Sequence, residues 1–350
     1  MKRKPFFWIG SLALAGLIGF TAPTDAAQKS SRSRRTTVTA RPSSQQAKRL
    51  YSAERSLSRK AKLARARAAT MQREMAEAVV PRFKVDAAGD LVPDLRAAAA
   101  IIYNPATNQV LWEENSQAPR SIASITKVMT ATVFLENNPD LTQPVTVARG
   151  DVYQASTTHL RANDKVTADD LLHLLLIASD NAAARALARI SPYGSDGFVR
   201  RMNEKAAELG LENTHYADPS GLLSDNESTA YDMARLITHA SGDERISSVM
   251  RMPEYTVYTA NHKAITFHST NHLLGRSDVD VRAGKTGFIG RSGYCLATLL
   301  RLPDTNDQVA VVVLGAKSNA GRFLETRNLF NWLSSKAATI FATKTPQPEQ

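Results

Sequence analysis

The order of strand-like and helix-like patterns limits the folds that this chain can adopt. Two apolar runs, 97–103 and 109–113, flank the turn-rich sequence NPATN and predict a β-hairpin. Helical patterns fill the middle of the chain, and strand patterns return after residue 254. The expected helices cover about 124–136, 171–177, 182–190, 198–209, 229–240 and 323–338, and the later strands 255–260, 279–283, 293–301 and 309–316. This order predicts the α+β class, with an antiparallel sheet from both chain ends and helices inserted and flanking.

The first residues have the pattern of an export signal. Basic residues at 2–4 precede a mostly apolar run, 6–20, and the small residues of TDAA follow at 24–27. This pattern predicts a signal peptide over 1–26, cleaved at its end, and export to the periplasm or cell envelope. A retained membrane anchor is the alternative interpretation, although the run is shorter than the ~20 residues that span a bilayer.

Positive charge is concentrated in one segment. The chain carries a formal net charge of +11, of which residues 1–27 carry +2, residues 28–84 carry +13 and residues 85–350 carry −4. We expect residues 27–92 to form a basic tether, low in complexity at first and then Ala/Arg-rich and helical, followed by a folded domain over 93–340 and a polar tail over 341–350. The tether is either a solvated spacer or a surface that adheres to an anionic envelope polymer or membrane. No nucleic acid is expected as a partner, because an exported protein seldom meets it.

Composition excludes two kinds of site. A single cysteine, Cys295, rules out an intramolecular disulfide framework and any multi-cysteine metal site. The seven histidines show no metal-binding spacing such as H-E-x-x-H. We therefore expect no metal, and Cys295, on an apolar strand, is expected to be an inert core residue.

Three short motifs carry candidate chemistry. They are S-I-T-K at 124–127, S-D-N at 179–181 and K-T-G at 285–287. A single S-x-x-K is weak, because ordinary Ser and Lys frequencies give on the order of one match in a chain of this length. The three motifs in this order are a recognised set in enzymes that use a serine nucleophile. Together they predict nucleophilic catalysis.

The first two motifs suggest how such a site would work. Ser124, at a helix start, is the candidate nucleophile, because the positive end of the helix dipole favours a developing alkoxide. Lys127 follows on the same helix face and is the candidate base, once burial beside a second cation, Lys285, has lowered its pKa. Ser179 can relay a proton to the leaving amine, and Asn181 can hold a substrate amide and Lys127.

The third motif is expected on an edge strand, where an extended peptide could pair through main-chain hydrogen bonds. Gly287 would leave room for that approach. Two residues near the motifs are expected to be structural. Asp180 should point away from the site, and His272 should be a packed loop histidine.

The sequence resembles the low-molecular-mass penicillin-binding proteins, the serine D-alanyl-D-alanine peptidases, over about residues 95–335. The resemblance is carried by ASITKVMT at 123–130, SDN at 179–181, the stretch 210–222, STAYD at 228–232, STNHL at 269–273 and KTGF at 285–288. The stretches TNHL at 270–273 and SGYCL at 292–296 are most similar to the D-alanyl-D-alanine endopeptidase branch, which cuts peptide cross-links in peptidoglycan.

The resemblance implies a β-lactamase/DD-peptidase-like fold, an acyl-enzyme, no cofactor, peptidoglycan peptides as substrates and acylation by β-lactams. Its implied roles are a nucleophile at Ser124, a general base at Lys127, a proton-relay and amide-binding pair at Ser179 and Asn181, carboxylate binding by Lys285 and Thr286, and an oxyanion hole from the backbone N–H groups of Ser124 and Phe288. Arg322 is a further candidate for holding a carboxylate.

Several alternatives stay open. A serine β-lactamase would share the fold but needs fast deacylation, for which class A enzymes supply a glutamate in an E-x-x-L-N loop. The corresponding region here is DPSGL at 218–222. We therefore expect slow deacylation after reaction with penicillin. A catalytically silent cell-wall scaffold is a second alternative. Within the peptidase class, the polar end TKTPQPEQ favours a released enzyme, and with it the endopeptidase over the carboxypeptidase.

Overall fold

The computed structural model describes residues 61–66, 69–70, 80–260, 263–303 and 307–342, with side chains described as far as Lys336. The predicted signal peptide and the first part of the predicted tether lie outside the described residues, as does the polar tail from residue 343. The described tether residues before residue 80 are helical and exposed. Within the described ranges, no helix combines the length and the apolar character needed to cross a bilayer.

The helices and strands follow the predicted order closely. The strands are β1 Phe83–Val85, β2 Leu91–Pro93, β3 Ala99–Asn104, β4 Gln109–Glu114, β5 Arg120–Ser121, β6 Pro144–Thr146, β7 Lys165–Thr167, β8 Glu227–Ser228, β9 Glu254–Tyr258, β10 Ala264–His268, β11 Asp280–Ile289, β12 Gly293–Arg301 and β13 Gln308–Ala316. The helices are α1 Thr126–Leu135, α2 Arg149–Val152, α3 Ala168–Leu176, α4 Asn181–Ile190, α5 Gly194–Glu208, α6 Ala230–Ser241, α7 Glu244–Met250 and α8 Asn319–Ala342.

The largest sheet joins the two ends of the domain. Its five strands are antiparallel in the order β11-β12-β13-β3-β4. The pairing of β13 with β3 brings Ala310 opposite Tyr103 and Leu314 opposite Ala99. Because β3 precedes the helical region and β13 follows it, helices α1 to α7 are inserted between strands of one sheet. This arrangement confirms the predicted α+β class and the predicted β3–β4 hairpin.

Both faces of this sheet are buried. Along β3, Ile101 packs in the core formed with helices α1 and α3 to α7, whereas Ile102 packs in the core on the opposite face, with α8. Val312 and Val313 of β13 alternate in the same way. Successive strand side chains point to opposite faces, so a strand covered on both sides has a continuous apolar sequence. The uninterrupted run of apolar residues in β13 follows from this packing.

Polar caps fix the helix starts around the site. Thr167 Oγ1 accepts from Asp170 N at 3.0 Å, and Asp170 accepts from Thr167 N at 2.9 Å, so the two residues form a capping box. Helix α3 therefore begins at Ala168, before the apolar run where the pattern placed it. Asp180 caps α4 by accepting from Ala183 N at 3.0 Å.

Two segments extend beyond the predicted boundaries. Strand β11 continues to Ile289 and contains the K-T-G motif, whereas the sequence pattern ended the strand at 283. A small hairpin, β1–β2, lies before residue 93, and Trp332 Nε1 donates to Leu91 O at 3.2 Å. The last helix thus contacts residues that the sequence assigned to the tether.

Replacement of Leu333 by alanine tests the packing of α8 against the sheet. Leu333 is fully buried in the core on that face, and loss of a buried leucine leaves a cavity. We expect Leu333→Ala to lower the free energy of unfolding by about 2–5 kcal/mol in denaturant titrations. The exposed Asn331→Ala on the same helix should stay within about 0.5 kcal/mol of the wild type. Equal effects of both substitutions would contradict this packing.

Candidate active site

Ser124 lies in a short 3₁₀ turn, Ala123–Ile125, immediately before helix α1. The sequence placed it at the helix start, and the turn puts it between β5 and the first residue of α1. Ala123 has a φ of +48°, a left-handed conformation that alanine rarely adopts. Such strain is held by surrounding structure and is often found at functional sites. The turn therefore presents Ser124 in a fixed position.

The side-chain amine of Lys127 lies directly beside Ser124. Lys127 Nζ is 2.9 Å from Ser124 Oγ and 2.6 Å from Asn181 Oδ1, and it also donates to the Ser220 carbonyl. Asn181 Nδ2 donates to Ala155 O at 2.7 Å, which directs the amide oxygen of Asn181 toward the lysine. Asn181 Oδ1 and the Ser220 carbonyl can only accept. A neutral amine has two N–H donors and one lone pair, so these two acceptors leave the lone pair for the Ser124 hydroxyl.

Burial allows the Lys127 amine to become neutral near neutral pH. Lys127 is fully buried, and burial is the main reason why its pKa falls from the ordinary lysine value to about 7. Asp218 and Asp180 raise this pKa, and Arg185 lowers it. A base with a pKa near the working pH combines a useful neutral fraction with proton affinity. The geometry and the pKa therefore equip Lys127 to take the serine proton.

A second lysine lies on the other side of the cleft. Lys285 Nζ is 2.8 Å from Ser179 Oγ and 3.0 Å from the Thr286 carbonyl. Burial lowers the pKa of Lys285 well below its ordinary value, and the nearby charges of Lys127 and Arg322 lower it further. The three motifs therefore meet, as the sequence predicted, with Ser179 in contact with the K-T-G lysine.

Ser179 owes its position to the turn before α4. Its φ is +60°, again left-handed in a non-glycine residue. Asp180 is completely buried and accepts from His159 N at 2.6 Å as well as capping α4. Its carboxylate therefore holds two backbone segments, which confirms the structural role expected for it. Asn181 then begins α4 with its amide directed at Lys127.

The K-T-G strand lies at the edge of the sheet, as predicted. A Cβ atom on Gly287 would lie 2.6 Å from Ile122 O and 3.2 Å from Ser124 N, so only glycine allows β11 to approach the nucleophile this closely. Thr286 Oγ1 is 2.6 Å from Thr270 Oγ1. Phe288 is 50% exposed and stacks on Tyr294 with ring centroids 4.2 Å apart.

The remaining singled-out residues have clear positions. Arg322 borders the cleft, but one of its terminal nitrogens donates to the carbonyls of Gly287 and Cys295 at 3.0 and 3.1 Å. Cys295 is buried, and burial raises its thiol pKa, which fits the expected inert role. His272 stacks on Phe323, as expected of a packed loop residue.

The sequence analysis missed three residues that form part of the candidate site. Thr270 borders the cleft and contacts Thr286, the Ser220 carbonyl contacts Lys127, and Gly221 packs against the Ser124 turn. The motif stretches containing these residues were visible, but their contacts depend on backbone positions. Of these features, the sequence could have indicated only the positive φ of Gly221, +77°, because glycine adopts that conformation readily.

The cleft has a volume of about 540 Å³. Its lining residues are Ser124, Ser156, Thr157, Ala178, Ser179, Asn181, Leu222, Thr270, Thr286, Gly287, Phe288, Ile289, Gly290 and Arg322. A larger cavity of about 650 Å³ borders the other end of β11, away from Ser124 and Lys127. Within the described residues, no group of three or more His, Cys, Asp or Glu side chains could hold a metal ion.

A serine hydroxyl in contact with a buried lysine amine, beneath an edge strand, is the arrangement expected of a serine hydrolase. Comparison with known proteins narrows this class. The family described as D-alanyl-D-alanine carboxypeptidase matches residues 86–318, and the chain belongs to this family. It is thus a serine-type D-alanyl-D-alanine peptidase, as its motifs predicted.

Individual relatives agree with this assignment. The D-alanyl-D-alanine endopeptidase of Pseudomonas aeruginosa is 32% identical over 71% of this chain and 81% of its own length. The Streptomyces K15 DD-transpeptidase structure is 29% identical, with a TM-score of 0.64 over 69% of this chain and 97% of that one. Penicillin-binding protein D2 from Listeria monocytogenes, solved in its cefotaxime-bound form, is 28% identical, with a TM-score of 0.59 over 68% and 97%.

The lysine pKa predicts how acylation depends on pH. Below a pH of about 7 Lys127 is protonated and cannot accept the serine proton, and above it the amine is neutral. The second-order rate of acylation by a fluorescent penicillin should therefore rise through about pH 7 and then level off. Stopped reactions between pH 5 and 9 measure this rate, with the melting temperature recorded at each pH. A flat rate over a folded protein would contradict the assignment of the base.

The close approach of β11 predicts the effect of a methyl group at Gly287. Gly287→Ala should push the strand away from Ser124 N and slow acylation about 100-fold, because small displacements of reacting groups have large kinetic effects. Gly150→Ala is the control, since a Cβ there has no neighbour within 4 Å. Unchanged acylation in Gly287→Ala would show that the approach is not required.

Proposed function

We propose that this peptidase is exported to the periplasm and hydrolyses the D-alanyl cross-links of peptidoglycan, in preference to removing terminal D-alanine. The observation that carries the proposal is the contact between Lys127 Nζ and Ser124 Oγ in a cleft bordered by an unpaired strand edge. The name of the Pseudomonas aeruginosa relative supports the endopeptidase reaction, and the signal-like pattern at 1–26 supports export.

The proposed reaction begins with proton transfer. Neutral Lys127 takes the proton of Ser124 while the serine oxygen bonds to the carbonyl carbon of the D-alanyl residue. Backbone N–H groups of Ser124 and Phe288 would stabilise the resulting oxyanion, a role that the close approach of Gly287 supports. The C–N bond then breaks, and the leaving amine receives the proton from Lys127 by way of Ser179.

Water completes the cycle. A water molecule attacks the ester carbon and gives its proton to Lys127, the bond to the serine oxygen breaks, and the proton returns to Ser124. The acyl product leaves as a carboxylic acid. The lysine therefore begins and ends the cycle neutral, which suits a side chain whose burial disfavours charge.

The β11 side of the cleft would bind a carboxylate of the substrate. Lys285 and Thr286 would bind the terminal or side-chain carboxylate of the substrate, with Thr270 holding the Thr286 hydroxyl at 2.6 Å. Arg322 would add positive charge behind them, while its hydrogen bonds to the carbonyls of Gly287 and Cys295 hold β11 and β12. The cleft therefore suits an anionic peptide end.

Digestion of defined muropeptides tests the proposed function. Purified cross-linked dimers and stem pentapeptides are incubated side by side with the mature chain, and products are read by mass spectrometry. We expect cleavage of the dimers to be the faster reaction, because we assign this chain to the endopeptidase branch. Ser124→Ala should abolish both reactions, whereas the remote Asn331→Ala should leave both unchanged. Release of D-alanine alone would overturn the endopeptidase assignment.

β-Lactams should report on the same serine. A fluorescent penicillin is expected to label the wild type stably and to leave Ser124→Ala unlabelled, since the acyl-enzyme is an ester of Ser124. The cefotaxime-bound form of penicillin-binding protein D2 supports this expectation. Rapid nitrocefin turnover would instead favour the β-lactamase alternative, and absence of labelling would favour the silent scaffold.

We also propose that the basic segment 28–84 holds the enzyme near an anionic wall polymer or membrane surface. Its net charge of +13 supports this role. Because β1 belongs to the hairpin that contacts α8, the test deletes only residues 28–80. The mature chain should sediment with purified sacculi more completely than the deletion at low salt, and the difference should shrink as salt rises. Equal sedimentation of the two proteins would remove this role.

A further inference from the structure

The loop that supplies the Ser220 carbonyl is organised around one carboxylate. Asp218 Oδ2 accepts from Ser220 N at 2.9 Å and from the Ser220 hydroxyl, while Asp218 Oδ1 accepts from Leu223 N at 3.1 Å and from Asn226 Nδ2. These four donors belong to three residues on the same loop. The carboxylate therefore fixes where the Ser220 carbonyl lies, and that carbonyl is one of the two pure acceptors that direct the Lys127 amine.

The loop is also tied to the nucleophile. Ile122 N, just before the Ser124 turn, donates to Asn226 O at 3.0 Å. A Cβ on Gly221 would lie 2.1 Å from Ala123 O, so the loop backbone packs directly against the turn. A shift of the loop would consequently move both the acceptor of the lysine and the support of the serine.

We propose that Asp218 is a positioning residue for the lysine base: through the loop that it organises, it places the Ser220 carbonyl against Lys127 Nζ. The negative charge of Asp218 also acts on that amine. Asp218 does not line the cleft, so it acts through Ser220 and through its charge rather than by touching substrate. None of the three motifs at 124–127, 179–181 and 285–287 contains it.

The charges around Lys127 oppose one another. Asp218 on the loop and Asp180 before α4 favour the protonated amine, whereas Arg185 on α4 disfavours it. Lys285 on β11 is the other nearby amine, and the charge of Lys127 lowers the pKa of Lys285. Burial lowers the pKa of Lys127 most strongly, and the two carboxylates bring it back to about 7. Asp180 is committed to the α4 cap and His159, which leaves Asp218 as the carboxylate that also builds the contact with the lysine.

Three variants separate the charge of Asp218 from its geometry. Asp218→Asn removes the charge, Asp218→Glu keeps the charge but lengthens the side chain, and Asp225→Asn makes the same charge change on the same loop. Asp225 is exposed, and among the described residues its side chain accepts from Ser224 Oγ alone, at 3.1 Å, which makes it the matched control. Acylation by a fluorescent penicillin is measured from pH 5 to 9 for each variant, and melting temperatures verify folding.

The expected results differ in sign as well as size. In Asp218→Asn, Lys127 loses a favourable partner for its charge, so the acidic limb of the acylation profile should move to lower pH. Relative to its own plateau, this variant should therefore react several-fold faster than the wild type at pH 6. Asp218→Glu should keep the wild-type limb but show a plateau at least tenfold lower, and Asp225→Asn should match the wild type in both.

Two results would overturn the proposal. One is an acidic limb in Asp218→Asn that coincides with the wild-type limb, or that moves no further than in Asp225→Asn. The other is an acylation rate at high pH in Asp218→Glu that equals the wild-type rate. That result would exclude the positioning role even if Asp218→Asn does not fold. A purely structural role would lower the melting temperature and the plateau of Asp218→Asn without moving its limb, and would count against the proposal.

Discussion

The active site depends on one buried amine, Lys127 Nζ, whose pKa of about 7 allows it to lose its charge near neutral pH. The Lys127 nitrogen is enclosed by the turn before α1, the start of α4 and the loop after α5, and each contributes one polar contact to it. A buried ammonium without such contacts is strongly disfavoured, and a buried amine without acceptors leaves its donors unsatisfied. The neutral amine with two acceptors and one hydroxyl satisfies both conditions. Three distant chain segments must therefore fold together before the base exists.

The burial of several basic side chains near one another is electrostatically unfavourable for the folded state. Lys285 is buried on the far side of the cleft, and Arg322 lies behind it, so several cationic groups share a region of low solvent access. Ala123, next to Ser124, and Ser179 add two residues with left-handed backbone. Such sites trade stability for function. The continuous apolar packing on both faces of the sheet is what offsets that cost.

The sequence predicted the parts of the site that act through side chains. Ser124, Lys127, Ser179 and Lys285 could be found because a nucleophile, a base and their partners require particular residue types. The Ser220 carbonyl could not be found in this way, because every residue carries a carbonyl and only the fold decides which one meets the lysine. Thr270 was hidden for a similar reason, since its role follows from the neighbour that the edge strand gives it.

The end of strand β11 could not be predicted from the sequence either. The apolar pattern ends at residue 283, and the next four residues, GKTG, have none of the β-branched apolar residues that mark a strand. They are nevertheless extended, because each pairs with a residue of the strongly apolar β12, with Lys285 opposite Ala297 and Gly287 opposite Cys295. Neighbouring strands impose the conformation that local sequence does not encode.

An exposed strand edge is normally a liability, because its free backbone groups can pair with any other chain. Here Thr286, Gly287 and Phe288 of the edge strand line the cleft, so this part of the edge faces the cleft beside Ser124. Arg322 joins the carbonyls of Gly287 and Cys295, which holds the edge strand and its neighbour to α8 close to the nucleophile. A rigid edge keeps the Gly287 backbone at the distance that Ser124 requires. The long final helix thus supports the strand that borders the cleft, as well as contributing to the core.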